Sequence, residues 1–320
     1  MPDIEVSAAT WAGLGVLIVA MLAIDLRVFP RRDAPSLRES AMWSVAWVLV
    51  AVGFGAIWWW WQGGDAGSQY FAGYLLERSL SLDNVFVFAV ILSYFAVPES
   101  VQPKLLSWGI ALALVLRLAF ILAGAALLDA FHITFYVFGA LLLYTAYKLA
   151  RHQGEEIQPE HNPALRLLRR RVPMTDDYDG DRLVTRRARR RIATPLLAVF
   201  VVVATTDVIF AVDSIPAIFA VTRESFIVFA ANAFAMLGLR ALYFLVVGLA
   251  DRFAYLNEGL SVILAFIAVK MLLIDVWHPP IWLSLAVIVA VLVGTALISL
   301  RVPTRPRSSS PRAAPGTSDP

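Results

Sequence analysis

Apolar residues in this chain gather into long runs separated by short polar breaks. A run of about 20 apolar residues is the length an α-helix needs to cross a hydrocarbon core of roughly 30 Å. On that pattern the sequence predicts nine helices, at 10–29, 41–61, 69–97, 104–128, 133–150, 195–221, 226–248, 256–274 and 281–300. The connections are short except for 151–194. The expected fold class is therefore all-α, a polytopic membrane protein. Residues 1–68 hold two N-terminal helices, 69–150 a first three-helix unit, 151–194 an arginine-rich loop and 195–275 a second three-helix unit. Residues 276–300 form the ninth helix, and 301–320, rich in Pro and Ser, read as a disordered tail.

Composition agrees. Of 320 residues 59% are hydrophobic and 16% charged, with a mean hydropathy of +0.71. A soluble domain cannot hide that much apolar surface. The absence of cysteine excludes disulfides, thiolate zinc sites and Cys-attached haem. Nothing points to a nucleic-acid partner. The N-terminus, Met1-Pro-Asp-Ile-Glu, lacks the basic segment of a cleaved signal peptide, so the first apolar run is expected to stay as a membrane helix.

Charge placement supplies an orientation. Arg31, Arg32 and Arg38 lie in the first connection, Lys104 in the third, eleven arginines between Arg151 and Arg191 in the fifth, and Arg252 in the seventh. The tail adds Arg301, Arg305, Arg307 and Arg312, whereas connections of the other parity hold only Arg223. Basic loops stay cytoplasmic, which puts the N-terminus outside and the C-terminus in the cytoplasm. The run Trp58-Trp59-Trp60-Trp61 ends the second helix on the outer side, where amphipathic indoles anchor a helix at the interface. Asp176-Asp177-Tyr178-Asp179-Gly180-Asp181 lacks the Gly and Glu spacing of a calcium loop and reads as solvated.

Rare intramembrane charges recur at fixed offsets. At 130 residues Glu77 aligns with Asp207, Asp83 with Asp213 and Asn84 with Ser214. At 123 residues Arg117 falls on Arg240, and at 122 Lys148 meets Lys270. Three spans separate the copies, so the second must cross the membrane in the opposite sense. This is the pattern of a 3+3 inverted-topology repeat of spans 3–5 and 6–8, whose ligand sites lie at the repeat interface near the midplane.

Each charge at a helix centre costs about 2.5–3.5 kcal/mol on insertion scales, so four unpaired carboxylates would cost roughly 10 kcal/mol. Arg117 and Arg240 are candidate counter-charges, with Arg78 a third. Four acids against three arginines leave a surplus that a cation can satisfy. The predicted cation site is Glu77, Asp83, Asn84, Asp207, Asp213 and Ser214. Pro216 removes the amide partner of the Val212 carbonyl, which predicts an interruption of the sixth helix beside Asp213. Carboxylate, amide, hydroxyl and carbonyl oxygens suit Mg2+, Ca2+ or Mn2+ better than Zn2+ or Cu+. Asp25, beside Arg27, reads either as an interfacial acid or as a relay for the metal. Lys148 and Lys270, at opposite membrane ends, are expected to snorkel to the interfaces.

Two segments resemble the signature motifs of the TerC family, particularly its Alx-type members: Glu77-Arg-Ser-Leu-Ser-Leu-Asp83-Asn84-Val-Phe-Val-Phe and Thr205-Thr206-Asp207-Val-Ile-Phe-Ala-Val-Asp213-Ser214-Ile-Pro216-Ala. The likeness extends through Ala23-Ile-Asp25-Leu-Arg-Val-Phe, Thr175-Asp-Asp-Tyr, Gly238-Leu-Arg240-Ala-Leu-Tyr and Val269-Lys270-Met-Leu-Leu. It implies a bacterial inner-membrane protein with a role in metal-ion homeostasis, Mn2+ export above all, with the same acids as ligands. A secondary transporter that exchanges Mn2+ for protons through those acids, with no permanently bound cofactor, is the leading expectation. One departure stands out: an acidic residue commonly precedes Thr-Thr-Asp in this motif, and this chain has Ala204. The alternatives are a membrane scaffold that assists metalation of partners or the secretion machinery, and a tellurite-resistance factor. No nucleophile–base pair or cofactor fingerprint suggests an enzyme.

Overall fold

Backbone groups inside a membrane must satisfy their hydrogen bonds within their own helix, so long apolar runs have little choice of structure. The computed structural model describes residues 6–28, 35–151, 162–187, 190–249, 256–276 and 280–301. Its helices are α1 (Ala8–Val28), α2 (Leu37–Gln62), α3 (Gly64–Tyr94), α4 (Gln102–Ala130), α5 (Ile133–Arg151) and α6 (Pro163–Arg171). After two short strands, β1 (Val184–Arg187) and β2 (Arg190–Ala193), come α7 (Pro195–Phe219), α8 (Ser225–Met236), α9 (Leu239–Leu249), α10 (Leu256–Leu272) and α11 (Ile281–Arg301).

Local chemistry sets the helix starts. Ser36 and Glu39 form a capping box at α2, each side chain bonding the other's backbone N–H. Asn162 accepts from the amides of Ala164 and Leu165 at α6, and prolines occupy the first turns of α4, α6 and α7. Gly63, at φ 92°, turns the chain between α2 and α3.

All nine predicted segments are helical. Among the described residues, α1, α2, α4, α5, α7 and α11 are long and apolar enough to cross a membrane. The α8–α9 pair, bent by 44°, counts as a seventh span. The protein is thus a polytopic membrane protein with six or seven such spans by length and composition. Helix α3 carries Glu77, Arg78 and Asp83, and α10 has 17 residues.

The exterior is apolar, and the mostly apolar interior encloses charge. Arg117 and Arg240 are the largest fully buried side chains, while Val16, Val115 and Trp60 stand 70%, 66% and 88% exposed. Helix α3 lies at the centre, against α2, α7, α8, α9 and α11, while α4 packs on α7 and α5 on α10. Small residues permit the close approaches, since lipid offers no hydrophobic drive to pair helices. A Cβ on Gly73 would come within 3.1 Å of Ile218, and Ala230, Ala231, Ala233 and Ala235 of α8 are fully buried. Tyr70 of α3 donates to the Ala51 carbonyl of α2 at 3.0 Å and meets the rings of Phe54 and Phe234 tilted and edge-on. The tryptophan run divides: Trp58 is buried against Phe226, and the other three face outward as interfacial anchors do.

Three expectations need correction. The fold is not purely helical, because β1 and β2 pair antiparallel inside 151–194. Thr194 makes this hairpin possible: fully buried, it donates its hydroxyl to the Arg182 carbonyl at 2.6 Å and its amide to Leu183 at 3.0 Å. Helix α7 runs unbroken through Pro216, which stands only three residues before the end and so forfeits a single ladder bond. The break falls instead in the seventh predicted segment, at Leu237–Gly238, where Gly238 takes φ 79°. A Cβ there would lie 2.6 Å from the Trp47 side chain, so both the backbone and the space require glycine. Arg78 stabilises this break by donating to the Ala235 carbonyl at 2.9 Å, rather than countering a membrane acid.

Candidate functional site

Helices α3, α4 and α7 bring three charges together. From α4, Arg117 bonds the Glu77 carboxylate of α3, reaches Ser214 of α7 at 3.2 Å and lies 3.5 Å from Asp207. All four residues are buried. The guanidinium thus sits between the two acids that the sequence aligns at an offset of 130 residues. Its planar fork suits this task, having donors in several directions where a lysine has a point charge.

Arg240 is satisfied differently. It makes a 3.0 Å ion pair with Asp25 of α1, bonds the Asp25 backbone carbonyl and donates to Ser107 of α4 at 3.1 Å. Asp25 is 3% exposed, so it is a structural acid of the interior. The acid is held by α9 rather than left to solvent: α1 leans Asp25 inward, in a contact across 215 residues. The only sequence signal was an acid just inside the end of an apolar run.

A cavity of about 180 Å3 lies between α3, α5, α7 and α10. Its polar lining is Asn84, Thr145, Lys148, Asp213 and Ser214, set among Leu80, Phe210 and Leu264. Asp213 accepts from the Thr145 hydroxyl at 3.1 Å and remains half-buried. Lys148 is exposed at this cavity, and Lys270 donates to Ser284 of α11 at 3.0 Å.

The predicted site residues therefore separate into two groups. Glu77 and Asp207 meet at Arg117, while Asn84 and Asp213 face the cavity; Ser214 belongs to both. Asp83 lies on α3 next to Asn84, with its side chain outside the described residues. Arg31, Arg32, Arg252 and the 302–320 tail also lie outside them. Among the described residues no three His, Asp or Glu side chains gather around one point. Sequence reasoning missed Thr145, one turn before Lys148, which had no charge to mark it. Ala204, at the departure from the motif, stands half-buried on α7 one turn before Asp207.

Residues 62–307 match the integral membrane protein TerC family. The chain is 44% identical over 311 residues to an uncharacterized membrane protein of Myxococcus xanthus, covering 97% of each. It is 43% identical over 299 residues to a protein of Escherichia coli strain K12 named "Putative membrane-bound redox modulator Alx", covering 90% of this chain and 93% of that one. A protein of Salmonella typhi with the same name is 44% identical over 299 residues, with the same coverage. No solved structure matches the chain.

Proposed function

This chain belongs to the TerC family of integral membrane proteins, and on that premise we propose that it is a metal-ion transporter exporting Mn2+ through the cavity at Asp213. The carrying observation is the donor set: a carboxylate, an amide and two hydroxyls face one cavity between helices of both predicted repeats. Oxygen donors of this kind suit a hard divalent cation. Mg2+ gives up its water reluctantly, and Mn2+ and Ca2+ both take six or more oxygens, so water would complete either sphere around these four side chains. Mn2+ binds such donors more tightly than Mg2+ does, and Ca2+ and Mg2+ are the competitors to test.

In this reading Arg117 holds Glu77 and Asp207 as a fixed girder, one positive charge shared by two carboxylates, and Asp213 is the acid that meets the ion at the cavity. Lys148 supplies positive charge at the cavity when the ion has gone, and protons are the counter-ion. The nine helices span a bacterial inner membrane with the N-terminus outside, and spans 3–5 and 6–8 form an inverted repeat around the cavity. Packing of α3 on α7 and of α5 on α10, each a pair of equivalent helices, supports that arrangement.

Purified protein in liposomes under a Mn2+ gradient tests the proposal. The parent moves Mn2+ with no partner present, and Asp213→Asn abolishes flux while inserting normally. Absence of parental flux, or normal flux in the variant, would sink it. The name of the enterobacterial relatives favours a second reading, modulation of redox state at the membrane. Because this chain has no cysteine, that role cannot use thiols of its own. A membrane scaffold acting on partners, by contrast, would move no metal in liposomes.

A further inference from the structure

A two-stranded hairpin alone is marginally stable in water, and like charges placed directly opposite across its strands weaken it further. The register of β1 and β2 puts Arg186 opposite Arg191 and Arg187 opposite Arg190. An open pocket of about 420 Å3 is lined by Arg182, Val184, Thr185, Arg186 and Arg191. Three guanidiniums thus meet at a pocket whose lining contains no acid. Among the described residues Arg186 and Arg191 have no acidic partner, while Arg182 pairs with Asp179 at 3.6 Å and lies near the Asp181 carboxylate.

The strands cannot relieve this repulsion by parting freely. Thr194 ties β2 to the Arg182 and Leu183 carbonyls at 2.6 and 3.1 Å, and the Ala193 amide donates to Pro173 at 2.9 Å. Asp181, adjacent to Arg182, pairs with Lys104 of α4. The arginines are therefore held together on an anchored backbone. Arg191 also stands four residues before Pro195, where the apolar span α7 begins, which sets the pocket close to the level of lipid headgroups.

We propose that Arg182, Arg186 and Arg191 form a binding site for a phosphate-bearing anion. Guanidinium forks match phosphate oxygens in geometry and charge, and a multivalent anion would turn the cross-strand repulsion into a bridge. Two sources offer this chemistry, the headgroup of an anionic phospholipid and a soluble phosphate or pyrophosphate. The site is independent of the transport proposal.

The experiment uses the full chain in two arms. In detergent, thermal unfolding is followed with inorganic phosphate or pyrophosphate against chloride at equal ionic strength. In phosphatidylcholine nanodiscs, it is followed with and without phosphatidylglycerol. Stabilisation is expected in at least one arm, with apparent affinity weakened about tenfold or more in R186Q/R191Q and partly kept in R186K/R191K. In chloride, R186Q/R191Q should unfold no earlier than the parent, since it has lost the repulsion. A response only in detergent assigns a soluble anion, and one only with phosphatidylglycerol assigns a lipid headgroup. No stabilisation in either arm, or equal stabilisation of R186Q/R191Q, overturns the site.

Discussion

Replacing Arg117 by methionine keeps much of the side chain's length and removes its charge, leaving Glu77 and Asp207 facing each other. Glu77 is 0% and Asp207 3% exposed, so water cannot take over the lost partner. Breaking a buried ion pair by removing one member costs about 3–5 kcal/mol, a large share of a typical stability of about 5–15 kcal/mol. At about 2–4 °C per kcal/mol for a domain of comparable size, the unfolding temperature should fall by roughly 10 °C. Thermal unfolding of purified protein in detergent measures this. The triple variant Arg117→Met/Glu77→Gln/Asp207→Asn removes all three charges and should regain most of the loss, because the cost lies in uncompensated charge rather than in missing contacts. A single variant that unfolds within about 2 °C of the parent, or a triple variant no better than the single, would refute the girder role of Arg117.

Three further predictions concern the fold and its surroundings. Gly238→Ala must adopt φ 79° and press into Trp47, so it should cost about 1–3 kcal/mol; a stability equal to the parent's would mean that the bend between α8 and α9 tolerates a side chain. The hydrogen bond and charge of Lys104 hold the Asp181 carboxyl below the usual carboxylate range. A depressed pKa contributes stability above the unfolded value and loses it as pH falls through the folded one, so Lys104→Gln should flatten the acid side of the stability profile. Identical acid profiles for variant and parent would remove the pair from consideration. Finally, Asp65→Cys should react with a membrane-impermeant maleimide from outside and Arg170→Cys only from the cytoplasmic side; labelling of both from one side contradicts the proposed topology.

Helix positions were legible in the sequence because the cause is local. A run of apolar residues in lipid has to close its own backbone hydrogen bonds, and Ser36, Asn162 and Pro195 mark starts by interactions that reach only a few residues. The buried charges were legible too, since each one is rare in such a run. What the sequence could not show is which charge meets which. Arg117 and Arg240 occupy equivalent places in the aligned segments, yet one is shared by Glu77 and Asp207 while the other takes Asp25 from α1. That outcome depends on how three or more helices lie against one another, and no interval along the chain encodes it simply. The break followed the same rule. Pro216 looked decisive but sits too near the end of α7 to interrupt it, whereas Gly238 bends the chain with Trp47 of α2 against it and Arg78 of α3 bonding the Ala235 carbonyl. Local propensity determined where helices form; packing between distant helices decided where they bend, which acids share an arginine, and that Asp213 faces a cavity.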